Sequence, residues 1–336
     1  MAVSVDGITH LILAVSLVSS NVTISVALRH MRRVKTTTVV FLAQLAISNL
    51  FQGLLFFISA LIYLCHAFDG IGCLMWVFLT QVGSGSYVTG ILFIYLDLCL
   101  SLRSMSVGKP VISTRKAVAM ACASWLVWLS WGVVGFGMLN TKYTYDNEEG
   151  CLMVSGLYRK EYILITAMYF IIIFIVILVF HVLSYHELTK SRKELLRIQN
   201  VEVGNVNRPE GQTVPDDDRR SDNGREDAKK KVKWLKKNEV VLRTITLILV
   251  MLIIGWYPVI ITSVIVVYCD RCAAIITKQI IYVTYVLVAI QYNSNGVIYL
   301  IKIKEFQQAL RDLCHGCHAS QRRVGSDVTV NVRTIA

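Results

Sequence analysis

Charge is what this sequence has least of. Only 17% of its 336 residues are Asp, Glu, Lys or Arg, four are proline, and 55% are hydrophobic. That balance excludes an ordinary soluble protein, in which about a quarter of the residues are charged. The apolar residues gather in blocks of roughly 20 or more, the length a helix needs to cross about 30 Å of hydrocarbon. A polytopic membrane protein fits. Other absences narrow the class further. No basic stretch precedes the first block, which runs straight into a membrane-length segment, so a cleaved signal peptide is excluded. The two halves of the chain do not mirror each other, and neither paired ionisable residues nor broken helices are legible at mid-membrane, which argues against a transporter or channel. An enzyme would need a His/Asp cluster or a nucleophile facing a base, and the membrane-buried His181 suits packing or hydrogen bonding instead. No metal and no cofactor are expected. The net charge of +12 sits in loops and implies no nucleic-acid partner.

Seven apolar blocks are present, at approximately 8–29, 38–64, 73–102, 116–139, 161–185, 241–268 and 276–301. Each satisfies its own backbone hydrogen bonds as a helix, which lipid demands. Basic residues set the orientation. "RHMRRVK" follows the first block, Arg103, Lys109, Arg115 and Lys116 follow the third, and the 189–239 loop holds 14 Lys and Arg against 10 Asp and Glu. Loops on the other side carry fewer bases, offset by Asp69, Asp146, Glu148 and Glu149. The N-terminus is therefore expected outside and the C-terminus inside. The organisation read from this is an extracellular tail of residues 1–7, a membrane domain over 8–301 and a cytoplasmic tail over 302–336. Within the 189–239 loop, "TKSRKELLRIQ" reads as a continuation of the fifth helix and the polar middle as disordered. Past the seventh block, Ile303, Phe306, Leu310 and Leu313 share one helical face, as an interfacial helix would.

Several cysteines have two readings. Cys73 and Cys151 lie outside, where a pair can oxidise and pin the intervening loop, or remain as free thiols. Cys269 and Cys272, in "YCDRC", form a second candidate bridge, though a loop so short strains one. Cys314 and Cys317 are candidate palmitoylation sites, with reduced cytosolic thiols as the alternative. Cys65, Cys99 and Cys122 read as packing residues. The sequon at Asn21 lies inside a span, out of reach of glycosylation.

Polar groups within spans are functional candidates by default. Here they are Asn21, Asn49, Asp97, Asn293, Ser294 and Asn295, with Trp256 and the kinking Pro258 beside them. Amides also bond helices to one another, so a single asparagine would mean little. Their order and context mean more: "SSNVTI" around Asn21, "LAISNL" around Asn49, "ASWLVWLSW" with Trp125, "GWYP" with Trp256 and Pro258, "NGVIY" over 295–299 and "KEF" at 304–306. With these motifs the chain resembles the rhodopsin-like (class A) G-protein-coupled receptors over nearly its whole length. The resemblance implies an all-α, seven-transmembrane helix bundle with a short amphipathic eighth helix, and a Cys73–Cys151 disulfide. It also implies an activation switch built from Asn21, Asn49, Asp97, Trp256, Pro258, Asn295 and Tyr299.

The departures from that family pattern are as informative. Its aspartate-arginine-tyrosine triplet falls 24 residues after Cys73, on Asp97-Leu98-Cys99, so the arginine and tyrosine are absent. Asn49 stands for the acid of the family's sodium site, and Tyr87 for a small serine there. Ile173, His181 and Gly296 replace a proline, a tyrosine and a proline. Thr80 stands where an aminergic receptor has its aspartate, and Ala289 where an opsin has its lysine. The ligand walls implied are Thr80, Gln81, Ser84, Trp256, Tyr257, Tyr285 and Ala289, a neutral set. The expected function is therefore a plasma-membrane receptor for a small, uncharged or weakly polar extracellular ligand, acting on a heterotrimeric G protein or arrestin through helix rearrangement. The alternative is a receptor-fold chemosensor of odorant type, a decoy or a heterodimer partner, with weak coupling or none. The short N-terminus argues against a large protein hormone.

Overall fold

The computed structural model describes residues 5–30, 36–65, 70–104, 111–138, 158–206, 218–269, 278–302, 304 and 306–312. Seven helices account for most of them: α1 (Val5–His30), α2 (Thr36–Cys65), α3 (Gly70–Arg103), α4 (Thr114–Gly137), α5 (Lys160–Val206), α6 (Asp218–Tyr268) and α7 (Lys278–Lys302). A short helix over 306–312 follows α7. By length and hydropathy, α1 to α6 each contain a stretch able to cross a membrane. The 25 residues of α7 span about 37 Å at 1.5 Å per residue.

The helices are apolar nearly all round, and lipid is the physical reason. A soluble helix turns its apolar stripe inward and its charged face to water. Here Leu126 of α4 and Val182 of α5 are each 63% exposed, while Asn21, Asn49, Gln52, Gln291 and Asn295 are buried. The outward faces are hydrocarbon, and the polar side chains bond helix to helix inside, where no water competes.

Helix α3 is the axis of the bundle, touching α2, α4, α5 and α6. Around it α1 lies along α2, and α6 along α7. Close approach of α4 to α3 depends on glycine. A Cβ on Gly85 would fall inside the indole of Trp128, which is 2% exposed. The α4 entry is capped by Ser113, whose hydroxyl accepts from Lys116 N at 3.4 Å, and its exit is tied to the start of α5 by Arg159 N donating to Met138 O at 2.8 Å.

Two expectations are altered here. The polar stretch read as disordered is cut back at both ends, because α5 runs to Val206 and α6 already begins at Asp218. Residues 207–217 lie outside the described set. Cys122 is exposed on α4 rather than packed, whereas Cys99 is buried. Of the interfacial face, Phe306 is buried with its ring 6.1 Å from that of Tyr299, so this helix packs on the bundle. Ile303 and Leu313 lie outside the described residues, as do Cys151, Cys272, Cys314 and Cys317, and so do the Cys65 and Cys73 side chains. Cys269 is disulfide-bonded.

Candidate functional site

Starting at the end of the bundle that carries the first residues of α3 and α5, a cavity of about 190 Å³ opens between α2, α3, α5, α6 and α7. Among the described residues, no Asp, Glu, Lys, Arg or His lines it. Its walls are hydroxyls, two glutamine amides, aromatic rings and branched aliphatics. Just before α5, burial, with the neighbouring Tyr162 phenol adding to it, pushes the Tyr158 phenol above its usual range. That wall therefore stays uncharged at physiological pH.

Of the seven side chains expected at a ligand site, five line this cavity: Thr80, Gln81, Ser84, Trp256 and Tyr285. Tyr257 does not, since its ring packs on Phe174 of α5 at 5.3 Å. Ala289 does not either. Asn293, one turn further along the same face, receives hydrogen bonds from Ser16 and Ser20 of α1, which places Ala289 on the α1 side of α7. The cavity instead meets Thr284, Tyr285, Val288 and Tyr292 of that helix. Helical periodicity separates neighbouring positions by 100°, so an error of one residue moves a side chain off the site.

Below the cavity lies a polar seam. Gln52 Nε2 donates to Thr80 O at 2.8 Å and to Ser84 Oγ at 3.0 Å, and Tyr292 Oη donates to the same Ser84 Oγ at 2.9 Å. One turn deeper, the hydroxyl of Tyr87 joins α3 to α7. Gln291 Nε2 donates to it at 2.6 Å and Asn295 Nδ2 at 2.9 Å. Asn49 Nδ2 donates to Asn21 Oδ1 at 3.1 Å and to Tyr292 O at 3.3 Å, tying α2 to α1 and α7. Tyr87 is fully buried and packs edge-on against Tyr292, with ring centroids 5.1 Å apart. The phenol thus occupies the centre of the bundle at the depth where the family pattern leaves a small side chain.

The indole of Trp256 forms the cavity floor on the α6 side. It stacks on Phe170 of α5 at 5.2 Å and 18°, and Phe170 stacks on Trp128 of α4 at 5.3 Å and 28°. Pro258 lies inside α6 two residues further on, where its ring removes one backbone hydrogen bond. Gly296 is not demanded by space, since a Cβ there would meet Ile24 at 3.4 Å, an ordinary contact.

Asp97 sits at the other end of α3, 5% exposed, with Thr38 of α2 donating to its carboxylate at 3.4 Å. Arg103, further along the same helix, pairs with Glu187 of α5 at 3.5 Å. Leu98 is buried in the apolar core. His181 meets Tyr95 edge-on at 5.7 Å and Tyr299 is buried.

A seven-helix bundle with this seam of asparagines between α1, α2 and α7 invites comparison with known proteins. Residues 20–299 match the family described as 7 transmembrane receptor (rhodopsin family). The chain belongs to that family. It is therefore a multi-pass membrane protein of receptor type. A comparison with curated proteins finds no match.

The family pattern did not expose Gln52, Tyr162, Phe170, Gln291 or Tyr292, which the structure places in the cavity wall or the seam. The glutamines were within reach of the rule that singled out the asparagines, a polar side chain inside an apolar span. The aromatic rings carry no such signal, because they look the same facing lipid or facing a cavity.

Proposed function

We propose that this receptor binds a small, uncharged or weakly polar ligand from outside the cell and passes the event to a heterotrimeric G protein, and to arrestin, through rearrangement of α5, α6 and α7. The observation that carries this reading is the cavity itself: lined by no charged side chain among the described residues, and floored by Trp256, which stacks through Phe170 onto α4. A ligand pressing on that indole moves a ring already coupled to two other helices, whereas a charged ligand would lose its hydration with no counter-charge among the described lining residues. The basic loops support an extracellular N-terminus, and a receptor for an outside ligand belongs in the plasma membrane. The Cys73–Cys151 bridge and lipidation at Cys314 and Cys317 belong to the same reading.

A second reading has one observation in its favour. Leu98 occupies the position of the family's arginine and is buried in the core, so the usual cation is missing from the proposed G-protein face. It supports a chemosensor or heterodimer partner with weak coupling. A G-protein dissociation assay and an arrestin-recruitment assay in cells, run on the parent and on Leu98→Arg, separate the two. Measurable dissociation in the parent, smaller than in typical receptors and raised by the substitution, is the result expected of the first reading; no dissociation in either protein would favour the second. Parental coupling as full as that of typical receptors, unchanged by Leu98→Arg, would sink the idea that this position weakens coupling.

A further inference from the structure

Among the described residues no charged side chain lines the cavity, but two of its buried N–H groups, on Gln81 and Trp76, have no acceptor. We propose that its ligand is a neutral molecule bearing a carbonyl-type acceptor, held by the N–H groups of Gln81 and Trp76, with an apolar body laid toward Trp256. This rests on the receptor reading above and specifies the chemistry of the same site.

The polarity of Gln81 is set by a hydrogen-bonded chain that begins on α4. An indole N–H can only donate. Trp131 Nε1 donates to Thr166 Oγ1 at 3.2 Å, so Thr166 accepts there and keeps its own proton. Thr166 is a hydrogen-bond partner of Tyr162 in turn, and the Tyr162 hydroxyl donates to Gln81 Oε1 at 3.0 Å. The contact of that hydroxyl with Trp131 O is longer, at 3.3 Å, and forms the weaker arm of the same donor. With the single Tyr162 proton on its shorter contact, the chain ends on the oxygen of Gln81. Its amide nitrogen is then left with no acceptor among the described residues.

Trp76 Nε1 and Thr80 Oγ1 are buried and unpartnered in the same way. Trp76, Thr80 and Gln81 all line the cavity, from successive turns of α3. The Trp76 indole is held in place by its cluster with Leu55, Tyr158 and Tyr162. Acceptors nearby are already used. Ser84 Oγ accepts from both Gln52 and Tyr292, and Thr80 O accepts from Gln52. Buried donors without acceptors are destabilising, and an acceptor on a ligand removes that cost. An ammonium would add a further donor beside N–H groups that already lack acceptors, with no carboxylate among the described lining residues to meet its charge. A carboxylate would satisfy the donors but shed its hydration with no Lys, Arg or His among those residues. A ketone, ester or amide meets both conditions. The remainder of the cavity, toward Phe170, Trp256, Ile260 and Val288, is aromatic and aliphatic and suits a hydrocarbon body.

The test uses the full chain in lipid nanodiscs and four probes of similar size: acetophenone, ethylbenzene, benzoate and benzylamine. Apparent affinities come from the concentration dependence of the thermal unfolding midpoint. Acetophenone is expected to bind more tightly than ethylbenzene, and both ionic probes more weakly than either. Gln81→Leu and Trp76→Phe are each expected to reduce the preference for acetophenone about tenfold, the loss of roughly one hydrogen bond. The shift caused by ethylbenzene should survive in both variants, which shows that they fold with the cavity intact. Equal binding of acetophenone and ethylbenzene, or a preference unmoved by both substitutions, overturns the acceptor assignment while leaving the neutral-ligand reading standing. Tightest binding by benzylamine or benzoate overturns the neutral-ligand reading itself. No shift with any probe overturns the cavity as the binding site, and the assignment with it.

Discussion

The two halves of the bundle treat polar groups differently. In the half that holds the cavity, the donors of Gln81 and Trp76 are buried without acceptors beside an open volume. One turn deeper, the Tyr87 hydroxyl is saturated by Gln291 and Asn295, and its ring fills the space between α3 and α7. The first half leaves a volume open, and the second fills it with a bonded phenol, although Asn49 Oδ1, Gln291 Oε1 and Tyr299 Oη there also lack partners. Interiors pack densely because voids cost free energy. An open region beside a filled one therefore separates where a ligand is proposed to bind from where packing contributes most to stability.

Opening the filled half should break this contrast most strongly. Tyr87→Ala removes a fully buried ring and leaves the Gln291 and Asn295 amides short of a partner, with an expected loss of about 3–5 kcal/mol. Tyr87→Phe keeps the ring and should lose only about 1–3 kcal/mol. Thermal unfolding in nanodiscs measures both, and equal losses would show that the hydroxyl alone matters. Next comes the contact that seats Trp128: Gly85→Val forces the indole out of place and should lose roughly 1–3 kcal/mol by overpacking. The same substitution should blunt the response to an agonist, because Trp128 supports Phe170 and so Trp256. A response unchanged in amplitude would mean that the three-ring stack is packing only.

Asn49→Asp asks whether the filled half can be turned back into an ion site. An ionised aspartate cannot donate to Asn21 Oδ1 or Tyr292 O, so the single variant should lose about 1–3 kcal/mol and show no sodium dependence, since Tyr87 still occupies the volume. Asn49→Asp with Tyr87→Ser should gain sodium-dependent stability. A sodium effect in the single variant would contradict the idea that the phenol fills the site. The smallest effect is expected from Arg103→Ala. The pair with Glu187 has the arginine side chain 63% exposed, and such pairs contribute about 0–1 kcal/mol.

Much of this architecture was readable from the chain. Hydrophobic length located the spans, because a helix must be long enough to cross hydrocarbon whatever it packs against. Asn21, Asn49 and Asn295 stood out because an amide in an apolar run has no inexpensive solvent. The site was less legible. Tyr257 and Ala289 were expected in the cavity and face α5 and α1 instead. Phe170 and Tyr162 gave no sign of their roles, since periodicity is weak on helices that are apolar on every face.

The sequence by itself determined that the chain enters a membrane, how many spans it has and which side chains could be costly enough to matter. It did so because those properties depend on composition along one dimension. Tertiary structure alone decided which tyrosine fills the bundle centre, which glutamine presents its amide nitrogen, and that Arg103 pairs with Glu187. Those outcomes depend on helix rotation and on hydrogen-bond direction across the bundle, and neither is written in the spacing of residues along any one helix.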